Sequence, residues 1–308
     1  MESIPLNILV FIVTIGVIAK GAILLVDSAA RIAARLGISE LVIGLTVVAF
    51  GTSAPEVGVT VLAALRNSGD ISIGNVVGSN IINFTIILGG TALFAALNTP
   101  RAVIRRDGPF LIACTLLFVF ILLDNNLSSI ESAVLLTLFV GYMAFLFIKR
   151  EAISDDFHPG EMKTYDPLLV LVGLGMVIGG AHFMVESAVI IARTVGISEW
   201  IIGATIVAFG TSAPEIATSL VAAIRGHHAM SMGNLVGSNI FNLLLVLGIA
   251  GTINPLSIDP SGSIDILLMA GVIVVVYVFA VTGKRVSKLE GAVLVSLGVA
   301  HWLFGYLR

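Results

Sequence analysis

Two acidic residues end two nearly identical decapeptides, each inside an apolar stretch of the sequence. VVAFGTSAPE ends at Glu56 and IVAFGTSAPE ends at Glu215. An acid at the centre of an apolar membrane helix costs about 2.5–3.5 kcal/mol, and neither half of the chain offers a Lys or Arg at the matching depth. Two such acids close together also repel each other. A bound cation removes both penalties, so the pair predicts a cation site.

The residues before each acid predict a break in the helix that carries it. Pro55 has no N–H, and its ring crowds the carbonyl of Gly51 four residues earlier. Ala54 precedes the proline and is pushed away from helical backbone angles. We therefore expect the helix to break or kink between about Ala49 and Pro55. Carbonyls released by the break must face protein or a polar cavity, and with hydroxyls and carboxylates they suit Ca²⁺ and Na⁺.

A second motif, GNVVGSNIIN, supplies amides at the same depth. The turn before it lies near Ser68, so Glu56 is 12 residues before the turn and Asn83 is 15 after it. At about 1.5 Å per residue, these side chains lie roughly 18 and 22 Å from the turn. The second copy has matching spacing. We predict a cage of ten side chains: Thr52, Ser53, Glu56, Ser79, Asn83, Thr211, Ser212, Glu215, Ser238 and Asn242.

The composition is that of a membrane protein. Of the 308 residues, 57% are hydrophobic and 11% are charged, whereas soluble domains carry about 25% charged residues. A net charge of −3 leaves no basic domain for nucleic acid. The single cysteine, Cys114, cannot form an internal disulfide. The first apolar run lacks the basic segment and cleavage site of a signal peptide, so we interpret it as a membrane span.

The apolar runs predict an all-α membrane protein with ten spans, because lipid leaves no partners for an open sheet edge. Lys and Arg favour both termini outside the cytoplasm, with twelve of these residues in inside segments and three in outside ones. The predicted units are 1–148, a cytoplasmic linker over 149–166, and 167–308. The runs are 5–26, 39–65, 71–96, 109–124, 130–148, 167–186, 198–224, 231–253, 264–282 and 289–306.

The two decapeptides belong to a longer duplication. Residues 37–89 align without a gap on 196–248, at an offset of 159, and 30 of these 53 positions are identical. Each half has five predicted spans, and an odd number inverts the second half in the membrane. Transporters use inverted repeats with broken helices to build two access routes to one midplane site.

At these motifs the chain resembles the cation/calcium exchanger superfamily, and within it the compact prokaryotic type of the sodium/calcium exchanger branch. The resemblance covers the whole chain and rests on the paired GTSAPE and GSN motifs. It implies antiport of Ca²⁺ against Na⁺ by alternating access, with the first and sixth helices sliding on a rigid core. It also implies carbonyl ligands from Ala49 and Ala208 beside the side chains of the cage, although direct ligation by Ser53 and Ser212 is less firmly implied.

Two family motifs bear on the coupled ion. In potassium-dependent relatives the position of Asn242 tends to be Asp, so an amide here argues against K⁺ co-transport. Proton/calcium exchangers carry GNxxE, whereas this chain has GNVVG and GNLVG. A K⁺-dependent or H⁺-coupled exchanger therefore ranks second.

Other readings of the same residues remain open. Glu56 and Glu215 could pair with buried hydroxyls in a structural role, and the amides of Asn83 and Asn242 could join helices. A cation channel could use the same oxygens, although channels usually build filters from oligomeric symmetry. An intramembrane hydrolase with Ser53 or Ser212 as nucleophile lacks a nearby histidine, so we expect no enzyme and no cofactor. The expected partners are Ca²⁺, Na⁺ and the lipid of the cell membrane, with no nucleic acid and no obligate protein partner.

Overall fold

The computed structural model describes residues 4–149, 160–197, 202, 206 and 208–307. The chain there is helical except for four two-residue strands and the connections. The first half has α1 (Ile4–Leu36), α2 (Glu40–Thr52), α3 (Ala54–Leu65), α4 (Gly69–Phe94), β1 (Leu97–Asn98), α5 (Val103–Asp124), β2 (Asn126–Leu127) and α6 (Ser129–Ile148). The second half has α7 (Asp166–Thr194), α8 (Ala208–Thr211), α9 (Ala213–Ile224), α10 (His228–Ile253), β3 (Leu256–Ser257), α11 (Ser263–Gly283), β4 (Arg285–Val286) and α12 (Lys288–Leu307).

Seven of these helices are long and apolar enough to cross a membrane, and α2 with α3 forms an eighth, bent span. The prediction of a multi-pass helical protein is therefore confirmed. Helix α12 has 20 residues at the tenth predicted run. The seventh run, 198–224, lies partly outside the described residues. The count of ten spans stays a prediction.

Helices α1 and α5 extend beyond the predicted runs, and the added part of each carries paired charged residues. Helix α1 continues past Asp27 and Arg31 to Leu36. Asp27 pairs with Arg225, and Arg31 pairs with the fully buried Asp166 at the start of α7. Helix α5 begins at Val103, and its buried Asp107 accepts a hydrogen bond from the Tyr142 hydroxyl at 2.9 Å. Hydropathy alone stops at such charges, whereas a paired charge can remain in a helix.

Helices α4 and α10 form the centre of the molecule. The most apolar window is 78% buried in α10 and 67% buried in α4, against 28% in both α1 and α7. Helices α1 and α7 pack along each other at the periphery. A Cβ on Gly21 would lie 2.9 Å from the Gly173 carbonyl oxygen, so a side chain larger than glycine cannot fit at this crossing.

The four strands join the two halves at two positions, one before and one after α5. Strand β1 pairs antiparallel with β4, and β2 pairs antiparallel with β3. We call these positions the β1–β4 end and the β2–β3 end. Both pairs connect the predicted units 1–148 and 167–308, so the two units are hydrogen-bonded to each other. Most of the predicted linker, residues 150–159, lies outside the described residues.

Candidate cation-binding site

Both GTSAPE motifs break their helices at the same serine. Helix α2 ends at Thr52, Ser53 has φ −81° and ψ 7°, and α3 begins at Ala54 with a bend of 50°. In the second copy Ser212 has φ −88° and ψ 3° between α8 and α9. The predicted break is therefore present. The expectation for Ala54 was wrong, because the residue that leaves the helical angles is Ser53 and Ala54 opens the new helix, with Pro55 in its first turn, where the missing N–H costs no intrahelical bond.

The break leaves the Ala49 carbonyl hydrogen-bonded. It accepts from the Ser53 backbone N–H at 3.0 Å and from the Thr52 hydroxyl at 3.4 Å. A carbonyl oxygen has two lone pairs, which these two donors use, so its role as a ligand stays a prediction. Ala208 begins α8, and its side chain lies outside the described residues.

The two glutamates lie close together in the interior. Glu56 and Glu215 are each 1% exposed and interact electrostatically with each other. The Ser53 hydroxyl donates to Oε1 of Glu215 at 3.0 Å, which joins the break of the first copy to the acid of the second. The hydroxyl of Ser79 faces Glu56, and that of Ser238 faces Glu215. Sequence analysis predicted this convergence of the two motifs, and the structure contains it.

The predicted amides lie on α4 and α10, four residues after the serines that face the acids. Asn83 and Asn242 are each 1% exposed. Residues at i and i+4 share a helix face, so Ser79 and Asn83 point to the same side of α4. A π-helical segment begins at Asn83, and another, Phe241–Val246, contains Asn242. Single π turns inside α-helices are frequent at functional sites.

Oxygens without hydrogen-bond partners concentrate at this cluster. Among the described residues, nine buried side-chain polar atoms lack a partner, and two of these, Thr99 Oγ1 and His228 Nδ1, lie at the chain's turns. A buried polar group left without a partner costs about 1–3 kcal/mol, and a bound cation would offset this cost for oxygens that lie together. The other seven are Glu56 Oε2, Asn83 Oδ1, Ser212 Oγ, Glu215 Oε2, Ser238 Oγ, Asn239 Oδ1 and Asn242 Oδ1.

Six of these seven oxygens belong to predicted cage residues. Carboxylate, amide and hydroxyl oxygens are hard ligands, which favour Ca²⁺, Na⁺ and similar cations over softer metals. Two carboxylates match the charge of one divalent ion. Thr52 is fully buried, and its hydroxyl donates to Oδ1 of Asn234 at 3.2 Å. Thr211 is less deeply placed, being half-buried beside Pro55 at a cavity of about 550 Å³.

Sequence analysis missed four asparagines that support the cage. Asn234 donates to Thr218 and Ser219 at 3.0 and 2.9 Å, and Asn75 in the first copy donates to Thr60 at 2.9 Å. Asn80 and Asn239 are fully buried beside the predicted amides. All four lie in the repeated GN and GSN motifs, so their identity in both copies was the available signal.

The sodium/calcium exchanger protein family model matches residues 6–148 and 165–304. The chain belongs to this family. A similar relative of this exchanger is the putative antiporter CaxA of Alkalimonas amylolytica, which is 36% identical over 307 residues that cover 92% of this chain and 96% of the relative. The sodium/calcium exchanger MaX1 of Methanosarcina acetivorans is 31% identical, with 96% and 97% of the two chains covered.

A solved structure of the sodium-calcium exchanger NCX_Mj, soaked with zero Na⁺ and Ca²⁺, superposes on this exchanger with a TM-score of 0.88. The two are 28% identical, and the match covers 99% of this chain and 100% of that one. The helical fold of this exchanger is therefore that of a membrane antiporter of the family, and the resemblance noted in the sequence is confirmed.

Proposed function

We propose that this exchanger moves Ca²⁺ across the cell membrane in exchange for Na⁺. The observation that carries the proposal is the pair of buried carboxylates, Glu56 and Glu215, each with an oxygen that lacks a partner among the described residues. The relatives named as sodium/calcium exchangers support the choice of ions. The proposed ligands are the predicted cage side chains with the carbonyls of Ala49 and Ala208.

The exchange requires that the site opens to one side of the membrane at a time. We infer ten spans arranged as two inverted five-helix repeats, with both termini outside the cytoplasm. This arrangement gives each access route an equivalent on the opposite side. The peripheral position of α1 and α7, outside the more buried α4 and α10, agrees with the sliding pair that the family resemblance implies.

Glycines on the two central helices support an alternation between two states. At the β1–β4 end, a Cβ on Gly237 of α10 would lie 2.8 Å from the Ala49 Cβ and from the Leu45 Cα, so these helices are in close contact. The equivalent Gly78 of α4 is half-buried, and a Cβ there would meet no described atom within 4 Å. Gly78 lines a cavity of about 410 Å³ with Asp70 at the β2–β3 end. We infer that the route beside Gly237 is closed in this state; the position equivalent to Leu45 is residue 204, which lies outside the described residues.

The test is ⁴⁵Ca²⁺ uptake into vesicles that contain the purified protein, with the Na⁺, K⁺ and H⁺ gradients imposed independently. An outward Na⁺ gradient alone should drive uptake. Uptake that follows only the pH gradient would identify a proton/calcium exchanger, and a requirement for K⁺ would identify a potassium-dependent one. Single-channel currents in planar bilayers would identify a channel instead.

The proposed orientation has its own test. Cys114 is buried and is the only cysteine of the sequence, so it can be replaced by alanine to give a cysteine-free chain. The Thr164→Cys variant, changed within the cytoplasmic linker of the proposal, should react with a membrane-impermeant maleimide only in inside-out vesicles. Reaction in right-side-out vesicles would reverse the orientation.

A further inference from the structure

Asn80 lies beside the proposed cage and contacts both of its amide-bearing helices. It is fully buried on α4, three residues before Asn83. Its Oδ1 accepts a hydrogen bond from Nδ2 of Asn242 at 3.0 Å, and its Nδ2 donates to the backbone carbonyl of Asn239 at 3.4 Å. Asn80 therefore connects α4 to the proposed ligand on α10 without being one of the proposed ligands.

The backbone carbonyl fixes the orientation of both side chains. A backbone carbonyl can only accept a hydrogen bond, so the NH₂ group of Asn80 must face Asn239. The oxygen of Asn80 then faces Asn242, and the NH₂ group of Asn242 must face Asn80. This leaves Oδ1 of Asn242 at the opposite end, where it is buried and has no partner among the described residues.

Orientation matters for a cation because the two ends of an amide have opposite polarity. The oxygen attracts a cation, whereas the NH₂ group repels it. A free amide could present either end, and half of its orientations would oppose binding. An amide that is held by a donor bond at its nitrogen presents only its oxygen.

We propose that Asn80 is a positioning residue that holds Asn242 with its Oδ1 directed at the transported cation. The proposal rests on the proposed function, because it assumes that Asn242 is an ion ligand. The role of Asn80 would then be neither to bind the ion directly nor only to pack two helices together.

The second copy of the motif provides a matched control. Asn239 occupies the position equivalent to Asn80, at the offset of 159, and is equally buried. Its Nδ2 donates to the Leu235 carbonyl within its own helix at 2.8 Å, and its Oδ1 has no partner within the described part of the chain. The same substitution at Asn239 therefore removes an amide of the same size that does not hold Asn242.

The test is a double-mutant cycle between Asn80 and Asn242. A carboxylate has two equivalent oxygens, so an aspartate at position 242 needs no fixed orientation. We expect Asn80→Leu to raise the Kd for ⁴⁵Ca²⁺, measured by equilibrium binding to the purified full chain, about tenfold in the Asn242 background. In the Asn242→Asp background the same substitution should change the Kd by less than about twofold.

The controls separate this role from packing and from the proposed function. Asn239→Leu should change the Kd by the same factor in both backgrounds. If Asn80→Leu is not recovered as monodisperse protein, Asn80→Ser, which is smaller and keeps a hydroxyl, enters the same cycle. Equal factors for the Asn80 substitution in both backgrounds would overturn the proposal and leave a packing role. Wild-type protein that binds Ca²⁺ but shows no Na⁺-driven flux would overturn the proposed exchange without touching the positioning of Asn242.

Discussion

Ser53 and Ser212 occupy equivalent positions of the two repeats, but their hydroxyls differ. Ser53 donates to Glu215 at 3.0 Å, whereas Ser212 has no partner among the described residues. The asparagines of the two GSN motifs differ in the same way. Oδ1 of Asn80 accepts a hydrogen bond from Asn242, whereas Oδ1 of the equivalent Asn239 has no partner among the described residues. Identical motifs therefore make different contacts in one molecule.

The outer contacts follow the same division. Asp27 of α1 forms an ion pair with Arg225 at 3.1 Å. Their equivalents, Glu186 and Arg66, are exposed and form no ion pair within the described residues. The same sequence repeat therefore has different outer contacts in its two copies.

The largest expected effect concerns Glu56 and Glu215, which occupy equivalent positions of the two repeats and are proposed to share one site. Glu56→Gln and Glu215→Gln each keep the shape of the side chain and remove its charge. We expect each to abolish Na⁺-driven ⁴⁵Ca²⁺ uptake, with a loss of at least about a hundredfold, because the remaining single carboxylate cannot balance a divalent ion.

The control is Glu161→Gln, which changes an exposed acid far from the site along the chain and should leave uptake unchanged. Loss in only one of the two glutamine variants would mean that the halves contribute unequally and would contradict a shared site.

A second prediction concerns an ion pair between α1 and α7 that the repeat does not duplicate. Asp166 is fully buried, and it accepts from Nε of Arg31 at 2.9 Å and from the Lys163 backbone N–H at 2.7 Å. The equivalent positions hold Asn7 and Ile190, so the second half has no copy of this ion pair. Asp166→Asn leaves Arg31 without its counter-ion and should destabilise the protein by about 3 kcal/mol, read as a lower melting temperature of the purified chain.

Arg31→Gln combined with Asp166→Asn serves as the matched comparison, because it removes both charges. We expect it to recover part of the lost stability. A double variant that is less stable than Asp166→Asn would show that the pair does not act as a unit.

The third prediction separates the packed helix from the open one. Gly237→Ala brings a Cβ within 2.8 Å of backbone and side-chain atoms of α2, and overpacking of this kind costs about 1–3 kcal/mol. Gly78→Ala has no described neighbour within 4 Å and should leave the melting temperature unchanged. Under the proposed alternating access it should nevertheless lower the exchange rate, since the cavity that Gly78 lines would close during the cycle. A destabilised Gly78→Ala, or one with unaltered transport, would contradict the difference between the two sides.

The smallest effect is expected for the outer ion pair. Asp27 and Arg225 are partly exposed, and exposed pairs contribute about 0–1 kcal/mol. A double-mutant cycle with Asp27→Asn and Arg225→Gln, followed by thermal denaturation, should give a coupling energy within that range and weaker in high salt. The cycle with Glu186→Gln and Arg66→Gln should give none. Equal coupling energies in both cycles would mean that Glu186 and Arg66 form an ion pair as often as Asp27 and Arg225 do.

The sequence predicted those features that depend on local covalent geometry or on helix rise. Pro55 predicts a break between about Ala49 and Pro55 because a proline cannot complete the helical bond to Gly51, and the break at Ser53 lies in that range. The depth of Glu56 relative to Asn83 follows from counting residues along two antiparallel helices. The resemblance then added the backbone ligands, which spacing alone does not identify.

The contacts that distinguish the halves could not be predicted in this way. Thirty of the 53 aligned positions are identical, so each half has the same local preferences. The choice between Ser53 and Ser212, or between Asn80 and Asn239, depends on how the helices are shifted relative to each other. Helix ends were also missed where a distant partner stabilises a charge, as Asp166 does for Arg31.

The two short strand pairs constrain how the chain is made. Leu97 pairs with Val286 and Leu127 pairs with Leu256, so each partner is synthesised 189 and 129 residues later. At about 5–20 residues per second, a ribosome needs roughly 10–40 s to supply the later of them. Until then β1 and β2 lack the strands with which they pair, and Glu56 is present without Glu215. The nascent chain must therefore keep half of the proposed ion site protected during much of its own translation.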